Sequence, residues 1–239
     1  MGLASIRVAW LLEVQQFRAA HYRMLALLGA VVSLILLFAF YALFLSLIGA
    51  VTEEGLVLFD GSEITGLGTF FTGKPLFYMI FLSMFLMVPV ASVFTGLYLH
   101  DVADMVEEVY YPHLPRPERP SGYDTFRLTL NYIGLLLPAN IVAMIIFGLS
   151  GFFWGMVFFC ALNGWLLARE YGDIVASRCL PSGEVKAARR QHRRSYGLCG
   201  VMLAIGLSIP LVNLLMPVLG AAAFTHLHHL LSRLVSVPA

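Results

Sequence analysis

The sequence predicts an all-α integral membrane protein: two long transmembrane helices, two re-entrant, hemi-penetrating helical hairpins and an N-terminal interfacial helix. Three observations predict it. Of 239 residues, 59% are hydrophobic and 12% charged, about half the charge of an ordinary soluble domain. Four stretches (24–51, 76–99, 128–168 and 197–225) contain no Asp, Glu, Lys or Arg, and about 20 apolar residues suffice to cross a bilayer core as a helix. Two of these stretches are broken in the same way, by proline and asparagine: Leu135-Leu-Leu-Pro138-Ala-Asn140 and Ile209-Pro210-Leu-Val-Asn213-Leu-Leu-Met-Pro217. Proline removes a donor and frees the carbonyl one turn back. Lipid satisfies neither group, so such breaks persist only under protein or in a wet cavity. Paired interruptions of this kind point to a solute site in a transport protein.

The elements follow in chain order within one membrane domain, 1–239. Residues 1–23 carry Leu3, Ile6, Trp10, Val14 and Phe17 at helical spacing, with Arg7, Glu13, Gln16 and Arg18 between them. That pattern predicts an interfacial helix with Trp10 at headgroup level. It is not a cleavable signal, because the apolar run after it is too long and no small-residue cleavage site follows. The first transmembrane helix is 24–51 and the second 76–99. Asp101, Asp104 and Glu108 at helical spacing extend the second, and Pro112, Pro115, Pro117 and Pro120 make a stiff connector within 100–127. Segment 128–168, with Gly148-Leu-Ser-Gly151 near its centre, is two tight spans or a helical hairpin. Its Gly151 and Gly155 form a GxxxG pair, which lets helices approach closely. In 197–225 the halves 198–209 and 214–225 are each about 18 Å long at the helical rise, against a core of about 30 Å. Neither half crosses alone. One kinked helix or a hairpin remains, and the hairpin is preferred. No strand pattern is visible.

Net charge is +1, which says nothing about partners, but the distribution is informative. Segment 52–75 holds Glu53, Glu54, Asp60 and Glu63 against the single base Lys74. Segment 169–196 holds Arg169, Arg178, Lys186, Arg189, Arg190, Arg193 and Arg194. Lys/Arg-rich short loops stay in the cytoplasm. Both termini, 100–127 and 169–196 are therefore expected inside and 52–75 outside, so 128–168 and 197–225 each leave from and return to one side. Cys160, Cys179 and Cys199 make no CxxC pair and none is expected to face outward, so no disulfide framework is predicted.

Several motifs compete with transport. Gly68-Thr-Phe-Phe-Thr-Gly73-Lys74 matches seven positions of a P-loop, but Pro75 stands where Ser or Thr would hold magnesium. Thr225-His226-Leu-His228-His229 lacks a second ligand cluster, so it reads as solvated histidines at a helix end, and no metal or cofactor is expected. No hydrolase elbow, HExxH or paired catalytic carboxylate appears, so the protein is not read as an enzyme. Glu107, Glu108 and Glu170 lie at membrane boundaries, where salt pairing is the ordinary role. Asn163 lies on a membrane helix with Arg169 and Glu170 at its cytoplasmic mouth. Arg169 is either a cation at a helix C-terminus or a pore residue. Arg18 and Arg23, flanking His21, are a positive-inside anchor or an anion site built from guanidinium forks and a helix start.

Three stretches resemble the CysZ sulfate-permease family, which is related to the etoposide-induced membrane proteins. They are Val102-Ala-Asp-Met-Val-Glu107 through Tyr111-Pro112 and Pro115; Asn163-Gly164 through Arg169-Glu170-Tyr171; and Ile209-Pro210 through Asn213, Pro217 and Ala221-Ala-Ala-Phe-Thr225-His226-Leu227. The resemblance covers nearly the whole chain. It implies bacterial inner-membrane sulfate uptake for cysteine synthesis, channel-like and not ATP-driven, by homo-oligomers built from dimers. It implies the two-helix, two-hairpin fold as well. Many members carry a Gly-Leu-Arg-type sulfate-binding stretch before the first span. Here the region reads Phe17-Arg18-Ala-Ala-His21-Tyr22-Arg23, with arginines but no glycine, and the resemblance places sulfate binding on Arg18 and Arg23.

Sulfate accepts hydrogen bonds and, near neutral pH, donates none, so its path needs N–H donors, helix N-termini and arginine. Asn140, Asn163 and Asn213 are the expected pore-lining amides, beside half-helices starting after Pro138 and Pro210, with Arg169 at the inner mouth. Glu107 and Glu170 are expected to hold arginines in ion pairs, and Pro138, Pro210 and Pro217 to shape the breaks. The expected partners are sulfate, lipid and further copies of the chain, not nucleic acid. The alternatives are a membrane scaffold without solute flux, a membrane enzyme and a proton-coupled sulfate carrier.

Overall fold

Within lipid every backbone donor and acceptor must be satisfied by the chain itself, and a charge-free apolar run meets that demand as a helix. The computed structural model describes residues 2–16, 20–51, 56–57, 63–64, 74–114 and 122–235, almost all of them helical. The helices are α1 (Gly2–Gln16), α2 (Ala20–Val51), α3 (Lys74–Tyr110), α4 (Gly122–Cys179), α5 (Ser182–Gln191), α6 (Arg193–Leu207) and α7 (Met216–Val235). Among the described residues, three helices are long and apolar enough to cross a membrane, over Ala26–Leu43, Phe85–Tyr110 and Leu130–Cys179. One departure from the sequence reading is a small antiparallel ladder, Leu56–Val57 (β1) with Glu63–Ile64 (β2). Two residues are too few for alternation to show in a sequence. The P-loop-like run up to Gly73 lies outside the described residues, as does Arg18.

α3 is the central helix and packs on α2, α4 and α7. It runs past its apolar stretch to Tyr110, keeping Leu99, Val102, Ala103 and Val106 fully buried on one face. α1 buries Ile6 and Ala9 against α6 and α7 and leaves Val8 and Leu11 exposed.

α4 folds back on itself. At Gly151 φ is +77° and ψ 170°, a region open essentially to glycine alone. Contacts nest around that point: Phe147 with Gly155, Asn140 with Asn163, Tyr132 with Asp173. Residues 122–150 and 152–179 are therefore antiparallel arms. The helix continues through Pro138, so no half-helix begins there and the reversal sits at Gly151. A proline forfeits one hydrogen bond and bends a helix, whereas a reversal needs a positive φ. Gly151 is thus a turn residue, and close packing falls to Gly155, where an added Cβ would lie 2.8 Å from Phe147 Cα. The arm 130–150 is about 31 Å long at the helical rise, close to the thickness of a bilayer core.

α6 and α7 form the second hairpin. An added Cβ at Gly206 would meet Met216 and one at Gly220 would meet Leu203, while the rings of Tyr196 and Phe224 stack at 6.1 Å. These contacts nest around Leu211, which excludes a single kinked helix. Leu211 has φ +68° and ψ −45°, and a 3₁₀ turn follows at Val212–Leu214. Pro210 is exposed in the turn. Pro217 lies in the first turn of α7, where a missing N–H costs nothing. The apolar arms 198–207 and 216–225 are each about 15 Å long, half a bilayer core. The second arm of α4 lies close along α6, because an added Cβ at Gly164 would be 2.7 Å from Val201 Cα. The hairpins also meet at Cys160 and Ser208, whose Sγ and Oγ are 4.0 Å apart.

Candidate functional site

Reversal at Gly151 brings Asn140 and Asn163 face to face. Asn163 is fully buried and Asn140 nearly so. Asn140 Nδ2 donates to Asn163 Oδ1 at 3.0 Å and to Leu136 O at 3.0 Å, and Asn163 Nδ2 donates to Phe159 O at 3.1 Å. Both amide hydrogens of Asn140 are thus used, while its Oδ1 is buried with no partner among the described residues. An orphaned buried acceptor costs about 1–3 kcal/mol, so the site favours water or a donor beside it. Asn163 retains one amide hydrogen.

Glu170 lies two helical turns beyond Asn163, on the same face, and is fully buried. It accepts from the Ser92 hydroxyl of α3, and its Oε2 has no partner among the described residues. The expected arginine is not there, which corrects the ion-pair reading of Glu170. Arg178 turns instead toward α3, Arg189 toward Asp173, and Arg169, Arg190 and Arg193 line a cleft.

Glu107, expected from the sequence to hold an arginine, bonds Arg178 within a wider network that the sequence did not display. Arg178, its guanidinium fully buried, bonds Glu107 Oε2 at 2.8 Å and also Asp104, and its Nη1 lies 3.1 Å from His100 Nδ1. His229 Nε2 is 3.0 Å from Glu107 Oε1. The available signal was Asp104 and Glu107, three residues apart and hence on one helix face, with Arg178 at the end of the adjacent apolar run.

Asn213 is 3% exposed at the tip of the second hairpin, its backbone N–H closing the turn onto Ile209 O at 2.9 Å. Among the described residues, no hydrogen bond joins it to the Asn140–Asn163 pair. Arg169 turns away from that pair. Its guanidinium carbon is 5.7 Å from the Tyr132 ring centroid, and it lines an open cleft of about 270 Å³ between α4, α5 and α6. Arg23 is exposed near the start of α2. Arg18 lies outside the described residues.

The histidines of α7 are buried, not solvated as the sequence suggested: His226 is 0% and His228 5% exposed. His226 Nδ1 is 3.0 Å from the Tyr111 hydroxyl and His228 Nδ1 2.9 Å from that of Tyr196. Both lie beyond the apolar stretch 197–225. Burial, reinforced by His229, pushes each pKa down to about 4. Ligand-type atoms of Glu107, Cys179 and His229 fall within 4.8 Å of one another, a grouping invisible in the sequence because its members are far apart in the chain. The Arg178 guanidinium on Glu107 opposes a cation there.

No curated protein and no solved structure matches the chain. A family model does, over residues 9–217, a range that includes both hairpin turns, the asparagine pair and the Glu107–Arg178 ion pair. The chain belongs to the family described as sulfate transporter CysZ/etoposide-induced protein 2.4.

Proposed function

We propose that this protein conducts sulfate across a bacterial inner membrane, as a channel and without ATP, supplying sulfur for cysteine synthesis. The observation that carries the reading is the Asn140–Asn163 amide pair, buried between the arms of an apolar hairpin with an orphaned acceptor beside it. A polar pair at that depth, with an unmet hydrogen-bonding demand, marks a point where water or a polar solute enters. The family's sulfate-transporter description fits a solute of that chemistry. Pro75 in the P-loop-like run leaves no hydroxyl to hold magnesium. In this reading both termini are cytoplasmic, both hairpins open to the cytoplasm, and homo-oligomers built from dimers form the working unit. Asn213 lines the deep end of the path, Arg169 its inner mouth, and Arg18 and Arg23 gather sulfate. Glu170, buried on the same helix face two turns beyond Asn163 with its Oε2 unpartnered among the described residues, favours a proton-coupled carrier as the second reading.

The test is radiolabelled sulfate uptake into liposomes containing the purified protein. Saturable uptake without a pH gradient is expected, and a large gradient effect would move the assignment to the carrier. Replacing both Asn140 and Asn163 by leucine removes the two partners together and leaves neither orphaned. That double variant is expected to keep its melting temperature within a few degrees and to lose at least about tenfold in flux. Full flux through it would sink the proposal.

A further inference from the structure

Four arginines line the cleft between α4, α5 and α6: Arg169, Arg189, Arg190 and Arg193. Asp173 supplies the opposing charge, and it bonds both Arg189 and the Tyr132 hydroxyl. The cleft therefore carries an excess of positive charge. α6 begins at its edge with Arg193, and its N-cap His192 makes no side-chain cap hydrogen bond among the described residues, so the positive end of the helix dipole adds to the charge. Such a site is built for a phosphate or sulfate group.

What distinguishes a lipid phosphate from a free ion is the surface leading away from the cleft. Trp165 and Gly197 line it. From Trp165 the exposed positions Ala161 and Phe158 follow back along α4, and from Gly197 the exposed positions Leu198, Met202 and Ile205 follow along α6. The α4 row stays on the face of Trp165 at helical spacing, whereas the α6 row begins one residue past Gly197, about a quarter-turn around the helix, and keeps helical spacing from there. The result is a basic pocket continued by two exposed apolar rows with a half-exposed tryptophan at the junction, the arrangement expected where headgroup meets acyl chain.

We infer that this cleft binds the phosphate headgroup of an anionic phospholipid, with acyl chains lying along Phe158, Met202 and Ile205. Arg190 and Arg193 are exposed and hold the phosphate without supporting the fold. Gly197 leaves room for it: a Cβ there meets nothing within 4 Å, so a larger side chain fills the pocket without displacing a neighbour.

The experiment is native mass spectrometry and thermal unfolding of the full chain in detergent, titrated with phosphatidylglycerol or with phosphatidylcholine. Phosphatidylglycerol is expected to bind preferentially and raise the melting temperature. A basic residue near an anionic lipid contributes about fivefold in affinity, so the double variant Arg190→Gln, Arg193→Gln should bind about 25-fold more weakly. Gly197→Leu should lose the preference while melting normally without lipid. Equal binding of the two lipids, or undiminished phosphatidylglycerol binding by both variants, would overturn the inference. So would inorganic sulfate or phosphate at low millimolar concentration giving the same stabilisation and displacing the lipid, since the cleft would then serve a free ion. Every readout is binding, so the result is independent of whether sulfate crosses.

Discussion

Arg178 is a residue whose removal leaves buried charge uncompensated. Its guanidinium is wholly buried and is shared between Glu107 and Asp104. Taking away one partner of a buried pair leaves an uncompensated charge and costs about 3–5 kcal/mol. Arg178→Gln is therefore expected to lower stability by about that much, measured by thermal or denaturant unfolding in detergent. Asp104 is part-exposed, so Asp104→Asn leaves less charge buried and is expected to cost under half as much. Equal stability of Arg178→Gln and the parent would mean that water reaches the site. The sequence displayed Asp104 and Glu107 on one helix face but gave no means of choosing their partner among the bases of 169–196. The choice depends on α4 doubling back, which places Arg178 beside α3. Arg189, eleven residues further on, is left with Asp173 instead.

At the scale of elements, the two hairpin turns solve one problem with different residues. Gly151 holds φ +77° with no atom within 4 Å of an added Cβ. Gly151→Ala is therefore a purely conformational change, expected to cost about 1–3 kcal/mol. Leu211 holds a positive φ with a side chain attached (φ +68°, ψ −45°), near the rare and strained γ-turn. Its side chain is 81% exposed, so little packing opposes replacement. Leu211→Gly is expected to stabilise by about 0.5–1 kcal/mol, the relief of strain exceeding the added freedom of the unfolded chain. Melting curves of the two variants should shift in opposite directions, and a parallel shift would show that something besides φ governs the turns. Proline and asparagine located the second break in the sequence because Pro210 and Pro217 bracket a short segment between two arms that are each too short to cross alone. They misplaced the first, because a proline such as Pro138 can sit inside a long helix. The better signal was Gly148-Leu-Ser-Gly151, at the midpoint of a run twice the length of a span.

At the scale of the whole molecule, α7 ties α3 and α6 together through its histidines. His226 meets Tyr111 just beyond the end of α3, His228 meets Tyr196 of α6, and His229 meets Glu107 of α3. The apolar runs and their lengths were legible without a structure, but this clasp was not. Thr225-His226-Leu-His228-His229 resembles a solvated helix end because the groups that bury it come from distant segments. Two consequences follow for acid stability. Burial holds the pKa of His226 and His228 near 4 in the folded protein, against about 6.5 in an unfolded chain. The unfolded state therefore takes up protons first as pH falls. Stability is complete above about pH 6.5, declines toward pH 4 and levels off below it, by at most about 3 kcal/mol for each histidine. Glu107 pulls His228 the other way, while His229 and His192 add to the depression, so His228 is expected to contribute the less predictable share. Melting temperature in detergent should be flat between pH 8 and 7 and fall by several degrees by pH 5. Replacing both residues by glutamine keeps a hydrogen-bonding partner for each tyrosine and removes the titration. The double variant should lose most of the acid-induced fall while melting near the parent at pH 8. An undiminished fall would assign acid sensitivity to the carboxylate–arginine network around Glu107.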